Sequence, residues 1–259
     1  MLLENRVAIV SGVGPGMGRD IALSFAREGA NLALGARSAD YVESVAKDVR
    51  ALGRRALALP TDISKREDCA RLVGHAEEEL GGVDILVNNA YHPGRYELFE
   101  SADLERWREP LEVNLLGSLR LTQEVVPRMK RRGGGSIVFI NSMIVREVLP
   151  TMASYAASKG ALLAAAQGLA RELGPHHIRV NSVLPGYIWG ATLEGYFKAQ
   201  ADARGVSPEV VYREVAAKIA LGSIPTSQEI AGAVLFFASP LSSVVTGQSL
   251  DVNGGQVMA

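Results

Sequence analysis

The chain has 259 residues, with 27 Lys plus Arg against 28 Asp plus Glu and a formal net charge of −1. Balanced charge spread along the chain excludes the electrostatic footprint of a nucleic-acid binder, and a hydrophobic content of 47% is ample for a packed core. The single cysteine, Cys69, excludes an intrachain disulfide and a cysteine-built metal site, and no metal is expected. Glu4 and Arg6 interrupt the first apolar stretch, against a signal peptide, and no run of about 18 uncharged apolar residues exists to cross a bilayer. A soluble, cytoplasmic protein with no membrane or nucleic-acid partner is expected.

Short apolar runs alternate with longer amphipathic stretches from one end to the other. The runs begin with Val7 to Val10, Asn31 to Gly35, Ala56 to Leu59 and Ile85 to Val87, and continue with Ile137 to Ile140, Arg179 to Leu184 and Ser249 to Val252. A helical pattern through Ile21, Leu23, Phe25 and Ala26 follows the first run and stops at Gly29, where a helix-ending glycine belongs. Further helices are predicted over about 41–52, 65–80, 103–131, 155–173 and 227–238. Apolar strands without polar alternation, each followed by a helix, make a parallel sheet covered on both faces. The expectation is one α/β domain over residues 1–259, a three-layer αβα sandwich of the Rossmann type with a seven-stranded parallel sheet. Residues 190–224 are predicted to hold two short helices, about 192–202 and 208–219, forming a lid over the site.

The segment Ser11-Gly12-Val13-Gly14-Pro15-Gly16-Met17-Gly18 lies between the first strand and the first helix. Glycines there let the backbone turn sharply and approach a pyrophosphate at a helix N-terminus. The absence of a Gly-Lys-Ser/Thr sequence excludes a nucleoside-triphosphate P-loop. The second strand ends at Ala36, Arg37 and Ser38 rather than at a carboxylate. An arginine in that place can hold a 2′-phosphate through charge-assisted bonds, which favours NADP(H). The alternative is a solvated strand-end charge with Ser38 capping the next helix, and Asp40 keeps NAD(H) in play.

Tyr155 and Lys159 are four residues apart on a predicted helix and so share one face. A phenol of ordinary pKa, about 10, is a poor base at neutral pH. A neighbouring ammonium lowers it and makes tyrosine a usable general acid/base. Ser142 falls at the end of the fifth strand, where open α/β sheets place ligands, and its hydroxyl is expected to hold a substrate oxygen.

With these residues in order, the chain resembles the short-chain dehydrogenase/reductases over essentially its whole length. Ser11-Gly12-x-x-x-Gly16-x-Gly18 is similar to that family's cofactor turn, and Asp62-Ile63 to its adenine contact. Asn88-Asn89-Ala90 resembles the fourth-strand motif, Pro185-Gly186 the turn beside the nicotinamide, and Asp251 to Gly255 the seventh-strand ending. Asn114, Ser142, Tyr155 and Lys159 resemble the catalytic tetrad. The resemblance implies hydride transfer between a nicotinamide and a carbinol or carbonyl carbon. Tyr155 would be the proton donor, Ser142 its partner on the same oxygen, Lys159 the ribose contact, and Asn114 the holder of a relay water. It implies cofactor contacts from Ser11, Gly12, Gly16, Met17, Gly18, Arg37, Ser38, Asp62, Ile63, Asn89, Ala90, Tyr155, Lys159, Pro185, Gly186 and Ile188, and a homotetramer or dimer.

Two positions depart from the family pattern: Tyr91 stands where glycine is usual, and Gly190 where a threonine is usual, with Thr192 two residues on. Met143, Val145, Met152, Tyr187 and Trp189, with Tyr196 and Phe197 of the lid, are expected to line an apolar substrate pocket. The leading expectation is an NADP(H)-dependent oxidoreductase, reducing a carbonyl of the 3-oxoacyl type. NAD-dependent oxidation of a hydroxy acid, polyol or hydroxysteroid-like alcohol is the alternative. A rival class is a dinucleotide sensor without turnover. A methyltransferase is more distant, having no use for Tyr155 and Lys159.

Overall fold

A computed structural model describes residues 1–258. Seven strands, β1 (Val7–Ser11), β2 (Asn31–Ala36), β3 (Ala56–Pro60), β4 (Ile85–Asn88), β5 (Gly135–Ile140), β6 (Ile178–Pro185) and β7 (Ser249–Val252), form one sheet. Their order is β3-β2-β1-β4-β5-β6-β7, and every neighbouring pair is parallel. Alternate residues of each strand feed opposite layers. Ala8 and Val10 pack with α1 (Met17–Arg27), α2 (Ala39–Ala51) and α9 (Ser227–Ala238), whereas Val7 and Ile9 pack with α3 (Arg66–Leu80), α5 (Ser118–Arg131) and α6 (Ala153–Leu173). Burial of both faces is what the non-alternating apolar runs of the sequence encode.

The chain reverses direction across the sheet between β1 and β4, which are hydrogen-bonded neighbours. The carboxyl ends of those two strands therefore border the crevice in which such sheets bind ligands. The first helix begins just past the glycine turn, and its N-terminal N–H groups face that crevice.

The helix expected over 103–131 is not uniform. A 3₁₀ turn at Leu104–Trp107 and the short α4 (Arg108–Pro110) lead into a π-helical turn, Leu111–Gly117, before α5 begins. Pro110, lacking an N–H, cannot continue the ordinary ladder, and the widened turn that follows carries Asn114 into the interior, fully buried. Expanded turns of this kind cluster at functional sites.

The segment after β6 forms two helices, α7 (Ala191–Arg204) and α8 (Pro208–Ala216), with a small core of their own in which Phe197, Ala201 and Val211 are buried. No helix is long and apolar enough to cross a membrane among the described residues, and no cluster of three or more potential metal ligands occurs among them.

Candidate active site

The glycine turn is shaped by close approach of backbones. Gly12 has φ +75°, and a Cβ there would lie 2.4 Å from Ala90 Cα, so the turn rests directly on the end of β4. A Cβ on Gly18 would meet the Gly12 carbonyl oxygen at 2.4 Å, which requires glycine for the helix to start so near the strand. Asn89 Nδ2 donates to the Gly12 carbonyl at 2.8 Å and fixes this contact. Gly14, by contrast, faces open space. Ser11 is buried with its hydroxyl donating to the Val87 carbonyl at 3.4 Å, so it ties β1 to β4 and leaves only its backbone for a ligand. Met17 is buried in the layer beneath the turn.

Arg37 and Ser38 lie exposed where β2 ends. Arg37 has no ion-pair partner among the described residues, and Ser38 occupies the cap position of α2 without using its hydroxyl as a cap. Asp62 Oδ1 accepts from the Ser64 N–H at 3.0 Å and its hydroxyl at 2.7 Å, which holds the carboxylate at the end of β3. Ile63 is buried, and a Cβ on Gly117 would lie 2.9 Å from its Cγ1. Gly186, just after β6, approaches Asn253 so closely that a Cβ would lie 2.7 Å from the Asn253 Cβ. Pro185 ends β6 and Ile188 packs on the layer of α1 and α9. A nicotinamide dinucleotide fits this crevice: open backbone at Gly14, a free guanidinium and hydroxyl at the β2 end, and a carboxylate at the β3 end.

At the far end of the crevice the four expected polar residues converge. Ser142 Oγ accepts the Ile144 N–H at 3.2 Å, which leaves its own proton free for a further acceptor, and it stands near enough to the Tyr155 phenol to act on its pKa. Burial raises the Tyr155 pKa above the usual tyrosine range, Ser142 opposes this, and the nearby Tyr91 and Tyr96 add to the rise. Lys159 is buried with its Nζ 5.8 Å from the centroid of the Tyr155 ring. It donates to the Ile140 carbonyl at 2.7 Å, and burial without a carboxylate pushes its pKa down to about 7. The expectation that Lys159 lowers the Tyr155 pKa is not met in this arrangement, because the ammonium is turned to the Ile140 carbonyl and Tyr155 is raised.

Asn114 is engaged on all sides. Its Oδ1 accepts the His92 N–H at 2.7 Å, and its Nδ2 donates to the His92 carbonyl and to Ser158 Oγ, each at 2.9 Å. Ser158 in turn donates to the Tyr155 carbonyl at 2.7 Å. Ser158 was not singled out in the sequence; a serine just before Lys159 on the helix was its only signal. Asn141 was missed as well, though it accepts the Ser142 N–H at 3.0 Å and donates to the Lys159 carbonyl at 3.2 Å.

The expected apolar lining divides. Tyr187 stands beside the catalytic end, and Val145 and Met152 are half-buried in the loops that flank Ser142 and Tyr155. Met143 is buried in the turn after Ser142. Phe197 belongs to the core of α7 and α8 rather than to a pocket wall. Trp189 stacks edge-on against Tyr212, ring centroids 4.8 Å apart, beside a groove of about 600 Å³ between those two helices.

A dinucleotide crevice at the strand reversal, ending on a protonated phenol with a serine beside it, is the arrangement of an oxidoreductase that moves hydride. A family model described as enoyl-(acyl carrier protein) reductase matches residues 12–256. The 7alpha-hydroxysteroid dehydrogenase of Escherichia coli K12 is 34% identical over 255 residues, covering 98% of this chain and 95% of that protein. A 3-oxoacyl-(acyl-carrier-protein) reductase of Thermotoga maritima is 33% identical over 258 residues, covering all of both chains. Among solved structures, an NAD+-bound xylitol dehydrogenase superposes with a TM-score of 0.91 at 29% identity, over 98% of this chain and 100% of that one. The chain belongs to the short-chain dehydrogenase/reductase family. It is an NAD(P)-dependent oxidoreductase acting on an alcohol and its carbonyl.

Proposed function

We propose that the protein reduces a ketone to a secondary alcohol with NADPH, within the crevice from Gly12 to Tyr155. The observation that carries this reading is the Tyr155 phenol, its pKa raised by burial, with the Ser142 hydroxyl fixed beside it by the Ile144 N–H. A phenol kept protonated at neutral pH is the form that gives a proton to an alkoxide. A nicotinamide dinucleotide bound there would supply the hydride that the carbonyl carbon takes up. Ser142, its proton left free by the Ile144 N–H, holds the carbonyl oxygen where negative charge develops. Tyr155 protonates that oxygen. Lys159, which donates to the Ile140 carbonyl in this structure, would bind the cofactor ribose and return a proton to Tyr155. Both amide protons of Asn114 are spent on His92 and Ser158, so its amide has none left to give a relay water. Gly12, Gly16, Gly18, Asn89, Ala90, Pro185, Gly186 and Ile188 shape the walls, Asp62 and Ile63 receive the adenine, and α7 with α8 forms the lid.

NADP(H) is favoured over NAD(H) because Arg37 is exposed and unpaired among the described residues beside the free Ser38 hydroxyl. Titrating the purified protein with NADPH and NADH, followed by nucleotide fluorescence, tests this. Arg37→Ala should weaken NADPH by roughly 10- to 100-fold, the worth of charge-assisted bonds to a phosphate, and leave NADH nearly unchanged. Equal effects would give the coenzyme to NAD(H), with Asp40 near the ribose and alcohol oxidation as the working direction. The assembly is a homotetramer or dimer built on α6, whose outer face carries an exposed stripe of Ala157, Gly160, Ala164 and Gly168. A light-scattering mass of one chain would exclude it. A cytoplasmic setting accords with a lone, buried cysteine.

A further inference from the structure

Five of the seven tyrosines in the chain lie within electrostatic reach of one another around the outer side of Tyr155. Tyr155 is one; Tyr91 and Tyr96 come from the loop after β4, Tyr187 from the turn after β6, and Tyr196 from α7. The loop is fastened at three points around the start of α6. Asn114 grips both backbone groups of His92. Gly94, at φ +72°, lies so close that a Cβ there would stand 2.7 Å from Ser154 Oγ and 3.4 Å from the Tyr155 Cβ. The Glu97 N–H donates to the Thr151 carbonyl at 3.2 Å. Tyr96 then lies within electrostatic reach of Tyr91, Tyr155, Tyr187 and Tyr196.

These outer rings are not core: Tyr91 is 59% exposed, Tyr96 66% and Tyr196 50%. Exposed aromatic side chains grouped on one side of a molecule mark a place where something binds, and here they border the residue proposed to do the chemistry. The charges around it are matched. Arg146 pairs with Asp251 at 3.3 Å and with Ser249 at 2.9 Å, and Arg95 lies 3.9 Å from Glu109. Glu147, beside Tyr187, has no partner among the described residues. The two arginines there are thus engaged, and the free carboxylates, Glu147 and Glu97 beside Tyr96 among them, repel a carboxylate or a phosphodiester. What this side of the molecule offers is ring faces edged with hydroxyls, each of which donates and accepts. A linear acyl chain needs a narrow apolar slot and uses none of those hydroxyls.

We propose that the substrate is an uncharged, ring-shaped secondary alcohol or its ketone bearing further hydroxyl groups, lying against Tyr96 and Tyr196 with its reacting carbon at Tyr155. This deepens the proposed ketone reduction and rests on it.

Three probes separate the possibilities: 2-hydroxycyclohexanone, cyclohexanone, and the N-acetylcysteamine thioester of acetoacetate, each assayed with NADPH and NADH. The hydroxylated ring should give a kcat/KM at least about tenfold above the other two, the worth of one or two hydrogen bonds to neutral groups. Tyr96→Phe and Tyr196→Phe, which keep the rings and remove the hydroxyls, should lower that value about tenfold more than they lower the value for cyclohexanone. Calorimetry should show the same loss in the affinity of the cofactor-saturated protein for trans-1,2-cyclohexanediol. Both residues are surface-exposed, so the variants fold, and circular dichroism checks this. Preference for the thioester, or equal losses on both rings, overturns the proposal while leaving ketone reduction standing. No oxidation of either cofactor with any probe overturns both.

Discussion

Lys159 is a cation held inside the protein by one carbonyl. A buried ammonium is costly unless paired, and here the cost appears as a pKa pushed from 10.5 down to about 7. Between those two values the unfolded chain binds a proton that the native chain does not, so the native state gains stability as pH rises through that window. The deficit is complete at and below the folded value. Lys159→Met removes it. The variant should therefore melt above the parent near pH 7 in cofactor-free protein, with the difference shrinking as pH approaches 10.5. Melting curves across that range check this; a difference independent of pH would mean the ammonium is not the source. A group held at such a disadvantage in the resting protein is consistent with a role reserved for a bound ribose and for Tyr155.

The π-helical turn at Leu111–Gly117 does at the scale of an element what no single residue does. It swings Asn114 inward, where its amide joins three separate segments: the loop after β4 through His92, α6 through Ser158, and its own helix. Through Ser158 the chain of bonds ends on the carbonyl of Tyr155. Asn114→Leu keeps the volume and removes every one of these bonds. It should lower kcat about 10- to 100-fold, the effect of misplacing a reacting group from a distance, and speed amide hydrogen exchange over residues 91–95. Loss of kcat with unchanged exchange there would show that Asn114 acts on the reaction and not on the loop. This turn was not legible in the sequence, where the helical pattern from 103 onward reads as continuous. A one-residue expansion leaves apolar periodicity nearly intact, and only Pro110 hinted at it. The dissection of the lid was illegible for a similar reason: Phe197 and Tyr196 are adjacent, and periodicity alone did not say which faces the lid core and which stays exposed.

Across the whole molecule, the sheet was the most legible part. All seven apolar runs appear as strands in one parallel sheet, because burial on both faces leaves a signal that turns and loops do not. The positions of Ser142, Tyr155 and Lys159 followed from that sheet, since the first sits where β5 ends and the others share a helix face beside it. Their protonation did not follow from spacing. Four residues of separation on a helix implies proximity, yet it does not say where the ammonium points, and here it points to Ile140. The outer tyrosines were scattered over three segments of sequence, and only the closed fold brings them to Tyr155.

In the proposed reaction Tyr155 gives the proton while the surrounding crevice holds the cofactor. Tyr155→Phe separates the two functions, because it deletes one hydroxyl and keeps the ring. The measurement is NADPH affinity by fluorescence titration together with turnover of a ketone by the same preparation. Affinity should stay within about twofold of the parent while turnover falls by about 10²- to 10⁴-fold, the contribution of a positioned general acid. Turnover retained by the variant would contradict the assignment of Tyr155 as the acid.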